Sequence, residues 1–146
     1  MNDVRGCALP EDLHYHLEHN VWVLRDAHGI AHIGFTAYAC ALAGPIAAYT
    51  PKAPGRVVAK GRSCATIESG KWVGPVKTPV GGEVIEVNER AQKEPHIINQ
   101  DPYGVGWLIR LRPSDWDGDA SDLLTGLGAE AGFEAKMKAE GFEGCA

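Results

Sequence analysis

Hydrophobic and polar positions alternate with a two-residue period in several short stretches of the chain, which is the pattern of β-strands with one buried face. Residues 83–87 alternate in this way directly after a Gly-Gly break, and residues 62–67 form a second β-prone stretch. Residues 21–25 and 30–35 flank the turn-forming residues 26–29, so this region predicts a hairpin. The pattern therefore favours a domain built mainly of short strands.

Helical signals occur in three places, one of which is a short helical turn over residues 94–99 with Pro95 at its start. Thr36 is suited to cap a short helix over residues 37–42, which a Gly-Pro pair would end. Residues 129–140 are rich in helix formers, and Phe133 and Met137 lie four positions apart, which gives one apolar stripe. Periodicity alone thus predicts a mostly-β domain with a terminal helix.

Length and charge limit the possible classes of protein. One compact domain is expected for 146 residues, of which 45% are hydrophobic and 23% charged. The net charge is −5 with no basic stripe, so nucleic acid is not an expected partner. No apolar run reaches membrane-spanning length, and the N-terminus lacks the apolar core of a signal peptide. We therefore expect an unstructured leader through Cys7 and a cytoplasmic protein with no membrane partner.

The four cysteines lie far apart and form no C-x-x-C pair, which argues against zinc-ribbon and thioredoxin sites. Reduced thiols are the expectation for a cytoplasmic chain. Cys7 and Cys145 lie near the two ends, where exposure is expected, whereas Cys40 and Cys64 lie among apolar neighbours.

Histidines cluster early in the chain, and His14 and His16 would share one face of a strand. No carboxylate or thiolate is spaced to complete a metal site with them, so solvated histidines are expected. The sequence also offers no nucleophile–base pair, and we predict no catalytic residues.

Residues 67–73 are the most informative stretch, because they join two β-prone segments through a short glycine-containing turn. Gly70 is expected to adopt a positive φ and sharpen the turn, so that Lys71 points outward. Taken alone, Lys71 would be an ordinary solvated surface lysine.

Two motifs change that interpretation. Residues 68–71, followed by residues 79–88, resemble the lipoyl-attachment hairpin of the glycine cleavage system H-protein family, and residues 98–108 resemble that family's other strong motif. The similarity runs from about residue 13 to residue 112. It implies a barrel-sandwich hybrid, the flattened two-sheet sandwich of lipoyl domains, with short peripheral helices.

The resemblance also implies one carrier domain over residues 1–146. Its core covers about residues 13–113, and its C-terminal helical segment covers about residues 119–141.

The resemblance implies that Lys71 carries lipoic acid in amide linkage. Glu68, Ser69, Gly70 and Trp72 are then expected to help a lipoate-protein ligase, or another lipoate-attachment enzyme, distinguish this lysine from the others. The protein is expected to be a monomeric carrier rather than an enzyme, and to interact with dihydrolipoyl dehydrogenase.

Some positions depart from the family pattern. Ala37 and Cys40 stand where the family more often has Asp and Gln, and Trp72 replaces a small residue. Three prolines within residues 44–55 weaken a central-strand assignment there and indicate an edge or an irregular crossing. These departures put the identity of the partner enzymes in doubt.

Residues 44–55, residues 70–72 and the cysteine-bearing leader, residues 5–11, resemble a relative of the H-protein, the lipoate-binding protein of the heterodisulfide-reductase-like sulfur-oxidation system. That assignment implies sulfur-bound cargo and a heterodisulfide-reductase-like partner complex. Trp72, with Tyr38 and Tyr49, is then expected to offer the arm an apolar resting surface. Carriage of the aminomethyl group of glycine cleavage is the alternative, and an unmodified interaction module with the same fold is a further one.

Other carrier classes fit the residues less well. A biotinyl domain typically surrounds its hairpin lysine with methionines, whereas Gly70 and Trp72 flank Lys71. A phosphopantetheine carrier needs a serine that opens a helix in a bundle, and this chain is mostly β.

Overall fold

A computed structural model describes residues 2–145, which form short strands and five helices. The strands are β1 (Asp3–Val4), β2 (Cys7–Ala8), β3 (His14–His16), β4 (Val21–Arg25), β5 (Ala31–Phe35), β6 (Ile46–Pro51), β7 (Val57–Val58), β8 (Ser63–Ser69), β9 (Val73–Lys77), β10 (Gly82–Val87) and β11 (Ile109–Pro113). The helices are α1 (Ala37–Ala43), α2 (Glu89–Lys93), α3 (His96–Gln100), α4 (Trp116–Asp119) and α5 (Gly126–Ala139), and a 3₁₀ turn covers Ala120–Asp122.

Two antiparallel sheets enclose the main core. One has six strands in the order β3-β4-β5-β11-β10-β7, and the other has three in the order β6-β8-β9. Ile33 and Leu111 from the larger sheet and Ile67 and Val76 from the smaller sheet belong to the same buried cluster. This arrangement confirms the predicted flattened two-sheet sandwich with short helices at its margins.

The strand β8 shows why these residues form a sheet. Ala65, Ile67 and Ser69 are buried while Thr66 and Glu68 between them are exposed, as a two-residue period requires. A register shift near the start of β8 lets Cys64 be buried beside Ala65. One apolar face therefore fixes which side of β8 meets the core.

The helix α1 begins and ends at local signals, as predicted. The Thr36 side chain accepts a hydrogen bond from Ala39 N–H at 3.0 Å, which satisfies a free donor of the first turn. Gly44 ends the helix with a φ of 76°, and its own N–H donates to the Cys40 carbonyl.

The proline-containing segment forms an edge strand rather than a central one. β6 pairs only with β8 in its sheet, and a register shift lies between Ile46 and Ala48. Pro51 is the last residue of the strand, so its missing N–H removes no hydrogen bond from the middle of the β6–β8 ladder. The edge position predicted from the prolines is therefore found.

A second buried cluster packs α5 against the outer face of the larger sheet. Phe133 and Met137 are buried, and the Phe133 ring lies edge-on to Tyr15 at 5.7 Å between centroids. The predicted apolar stripe is therefore present. The helix begins at Gly126, and α4 and the 3₁₀ turn occupy the start of the segment predicted to be helical.

The leader and the terminal cysteines differ from the prediction. Residues 3–8 form the β1–β2 hairpin instead of an unstructured leader, and Met1 lies outside the described residues. Cys7 and Cys145 form a disulfide across 138 residues of sequence, and Cys7 is only 3% exposed, so the expectation of exposed, reduced thiols at these two positions was wrong. Cys40 and Cys64 are free and buried.

Removing the disulfide should destabilise the fold. Replacing Cys7 and Cys145 together with serine is expected to lower the free energy of unfolding by about 2–5 kcal/mol, because an open chain has more conformational freedom when it unfolds. Urea unfolding of both proteins, with and without reductant, measures the effect. Reductant should lower the free energy of unfolding of the wild type and leave that of the double variant unchanged, since Cys40 and Cys64 form no disulfide. An identical response of the two proteins would contradict the disulfide.

Candidate cofactor-attachment site

The β8–β9 hairpin displays Gly70, Lys71 and Trp72 at its tip. The Ser69 N–H donates to the Trp72 carbonyl at 2.7 Å and closes the loop. The Ser69 hydroxyl donates to the same carbonyl at 3.3 Å and accepts from the Lys71 N–H at 3.4 Å. Ser69 is buried, so its side chain holds the turn together from inside, whereas Glu68 and Lys71 are exposed.

Gly70 does not act as predicted. Its φ is not positive, and a Cβ added there would meet no atom within 4 Å. The prediction of a left-handed glycine at the tip was therefore wrong. The turn is closed by hydrogen bonds around Ser69 rather than by special backbone freedom at Gly70.

The Lys71 side chain lies over Gly44, at the end of α1. A Cβ on Gly44 would lie 3.0 Å from Lys71 Cε and 3.7 Å from its Nζ. This proximity follows from the sheet register, because Ile46 pairs with Ser69 and so brings the end of α1 to the hairpin tip. Gly44 thus leaves a shallow cradle that the stem of Lys71 occupies.

Trp72 turns back toward the protein instead of standing free in solvent. It is 37% exposed, and its ring lies 6.4 Å from that of Phe35. Its indole also covers Gly74, where a Cβ would come within 2.2 Å of the ring. Glycine at that position is therefore required by the close approach of the indole.

A cavity of about 350 Å³ lies between Trp72 and α1. Its apolar wall comes from Phe35, Ala39, Leu42 and Trp72, with Glu18, His19, Asn20, Ala43, Pro75 and Lys77 completing the lining. A mixed apolar and polar cleft beside an exposed lysine has the character of a site for a small apolar group with a polar tether.

The two tyrosines expected at this surface lie elsewhere. Tyr38 is buried in the second cluster, where its hydroxyl donates to a Glu140 carboxylate oxygen, and burial raises its pKa. Tyr49 is buried in the main core, and its hydroxyl donates to the Leu108 carbonyl. Tyr38 packs against Phe133 of α5 and Tyr49 lies in the main core, so the apolar resting surface predicted from these two tyrosines was wrong.

Sequence reasoning missed Gly44 as a neighbour of Lys71 and Phe35 as a neighbour of Trp72. The glycine was identified only as a helix stop, and that signal is local. Its contact with Lys71 depends on the pairing of β6 with β8, which the prolines around β6 obscured.

No group of three or more His, Cys, Asp or Glu side chains that could hold a metal is found among residues 2–145. The ring of His16 stacks on that of His19 at 4.3 Å between centroids. Within the same part of the chain, no helix is long and apolar enough to cross a membrane.

The model of the glycine cleavage H-protein family matches residues 13–136. Glycine cleavage system H protein 2 of Aquifex aeolicus is 43% identical over 126 residues, covering 86% of this chain and 78% of the relative. A probable glycine cleavage system H protein 2 of Saccharolobus solfataricus is 48% identical over 126 residues, covering 85% and 84%. The crystal structure of a glycine cleavage system H protein from Mycobacterium marinum superposes with a TM-score of 0.75 at 29% identity, covering 87% of this chain and 99% of that one.

The two glycines at the site should respond differently to a methyl group. Gly44→Ala is expected to cost about 1–3 kcal/mol, because the φ of 76° and ψ of −169° lie in a region that side chains avoid. Gly70→Ala, with open space around it, should change the free energy of unfolding by less than about 0.5 kcal/mol. Urea unfolding of the two variants provides the comparison, and a larger loss for Gly70→Ala would contradict this geometry.

Proposed function

The chain belongs to the glycine cleavage H-protein family, and from that premise we propose that Lys71 is the residue to which lipoic acid is attached. Proteins of this family carry lipoic acid covalently on a lysine and are carriers rather than catalysts. The observation that supports Lys71 is its position, since it is exposed at the tip of a hairpin whose strands are anchored in the core.

The residues around Lys71 fit such a group. Gly44 provides a cradle for the lysine stem that a Cβ would fill, and the cleft beside Trp72 can accept an apolar ring. Amide formation removes the ammonium charge of Lys71, so the modified side chain can approach that cleft without the cost of burying an ion. The bound group supplies a reactive dithiol at the end of a flexible arm.

The hairpin gives the arm a defined origin. Lysine and lipoyl together span about a dozen bonds, a reach of roughly 12–16 Å from the backbone. Tethering on this length raises the local concentration of the dithiol at a docked enzyme toward the millimolar range. Ser69 keeps the origin fixed through its three hydrogen bonds in the turn.

The ligase that attaches the group meets an asymmetric tip. Glu68 and Lys71 are exposed, and Trp72 presents part of its indole. Glu68 and Trp72 distinguish Lys71 from Lys77 on the same hairpin, which follows the exposed Pro75 and lines the cleft. We therefore assign Glu68 and Trp72 to recognition by a lipoate-protein ligase, and Ser69 to the shape of the turn.

The cargo that the relatives favour is the aminomethyl group of glycine cleavage. Relatives named as glycine cleavage system H proteins cover most of this chain at 38–48% identity. On this proposal the protein serves the glycine cleavage enzymes and dihydrolipoyl dehydrogenase as one cytoplasmic, monomeric carrier unit over residues 1–146.

Carriage of sulfur in a heterodisulfide-reductase-like system is a second candidate. Trp72 packs into the cleft beside the lysine, and Ala37 and Cys40 are the departing residues of α1, the helix that also supplies the cleft's other wall. An indole at this place changes the shape of the surface that a partner enzyme would meet. This altered surface is the observation that keeps the second candidate open.

Lys71→Arg should abolish lipoylation and leave the fold intact, because the tip residue is exposed and arginine offers no acylable amine. Intact mass after incubation with a lipoate-protein ligase and lipoate measures the modification. Lys77→Arg, on the same hairpin, is the matched control and should be modified like the wild type. Modification of Lys71→Arg, or its loss in Lys77→Arg, would assign the group to another lysine.

The two cargoes are separated by a glycine decarboxylation assay with the lipoylated protein. Glycine cleavage predicts turnover close to that of an authentic H-protein at the same concentration. The altered surface around Trp72 predicts turnover reduced by tenfold or more, with partial recovery in Trp72→Ala. A reduced rate without recovery would exclude the indole as the cause.

A further inference from the structure

The Cys7–Cys145 disulfide lies beside the same helix as the candidate attachment site. Cys145 Sγ is 3.9 Å from the Ala37 carbonyl oxygen, at the first turn of α1. Lys71 lies over Gly44, at the opposite end of that helix. The disulfide and the lysine therefore lie at the two ends of one seven-residue helix.

A groove of about 560 Å³ follows this helix. Its lining includes Ala37, Cys40 and Ala41 of α1, together with Asn99 and Cys145. Ala37, Cys40, Ala41 and Gly44 follow one another at intervals of one to three residues, with Ala37, Ala41 and Gly44 three or four apart. They therefore lie on one face of α1. The Asn99 side chain joins the groove to the lysine end, since its amide donates to the Gly44 carbonyl at 2.9 Å.

The separation matches the length of a lipoyl arm. Seven residues of helix rise roughly 10 Å, from Ala37 to Gly44. Because the lysine stem already reaches Gly44, the rest of an arm of roughly 12–16 Å must lie extended along the groove to bring its end to the first turn of α1. The small side chains at positions 37 and 41 leave the path open.

One sulfur of the disulfide is accessible from this groove. Cys145 is half-buried and forms part of the lining, whereas Cys7 is buried and does not. A thiolate that arrives along α1 therefore meets Cys145 Sγ first, and the Cys7 sulfur is the leaving group.

We propose that the Cys7–Cys145 disulfide is a redox partner of the arm on Lys71 within the same molecule, an inference that rests on the proposed attachment at Lys71. The disulfide accepts two electrons and two protons from the reduced dithiol of the arm. The Cys7–Cys145 bond breaks and both sulfurs become thiols, while the two sulfurs of the arm become bonded to each other. Each proton leaves an arm thiol and ends on a cysteine, so no further oxidant or reductant is needed.

The surrounding contacts keep the opened thiols together. Cys145 N–H donates to the Arg5 carbonyl at 3.0 Å, and the Arg5 guanidinium donates to the Phe142 carbonyl at 2.7 Å and to the Glu134 carboxylate at 2.7 Å. These bonds do not involve the sulfurs, so they hold Cys145 beside Cys7 after reduction. The exchange is therefore reversible, and the pair stores two electrons within reach of the arm.

Cys40 also lines the groove but is not the acceptor. Burial raises the pKa of its thiol to about 12, and its Sγ lies 3.5 Å from the Ile98 carbonyl oxygen, facing inward. A buried neutral thiol does not exchange.

The test uses lipoylated protein whose loading at Lys71 is established first by peptide mass. Dihydrolipoyl dehydrogenase and NADH reduce the arm, the reaction is quenched with an alkylating reagent over time, and alkylated Cys7 and Cys145 are quantified. The expected result is opening of the disulfide with a half-time that stays constant over a tenfold dilution of the protein. Ala41→Phe should slow it tenfold or more by blocking the groove, and Ala135→Phe, an exposed alanine on α5, should not.

Lys71→Arg, which carries no arm, controls for direct reduction and should keep its disulfide closed. A disulfide that stays closed beside a fully reduced arm would overturn the exchange and leave the attachment at Lys71 standing. A rate that scales with protein concentration, or opening of Lys71→Arg as fast as the wild type, would also overturn the exchange. Absence of the lipoyl group from Lys71 in the first mass measurement would overturn both proposals.

Discussion

The hydrogen bond from Ser69 N–H to the Trp72 carbonyl closes the hairpin on which the site depends. Its effect extends beyond the turn because β8 is the central strand of its sheet and pairs with β6 and β9. Ile67 on the same strand is fully buried between the two sheets. The lysine at the tip is therefore displayed by a strand that is anchored by pairing on both edges and by packing on one face.

The same pairing explains why α1 belongs to the site. Because β6 follows α1 directly and aligns Ile46 with Ser69, Gly44 lies under Lys71. The other end of α1 touches Cys145, and the buried Tyr38 packs its ring against Phe142 at 4.8 Å. The short helix α1 thus connects the hairpin tip to the Cys7–Cys145 disulfide, with Lys71 at one end and the disulfide at the other.

The sequence could predict the elements whose causes are local. The alternation in β8, the Thr36 cap and the Phe133 stripe all depend on residues a few positions apart, and the structure has each of them. The Cys7–Cys145 bond spans 138 residues, and no spacing rule reaches that far. The positive φ expected at Gly70 was wrong because glycine permits that conformation without requiring it.

On the proposed function, a rigid hairpin presents Lys71 alone for modification. This proposal is tested most directly by comparing the amide NMR spectrum of the protein before and after enzymatic lipoylation. Shift changes are expected to be centred on residues 69–72 and on Gly44, with weaker changes along the cleft beside Trp72 and an unchanged core. Changes centred on Lys60 or Lys77, or spread through the buried strands, would contradict the proposal.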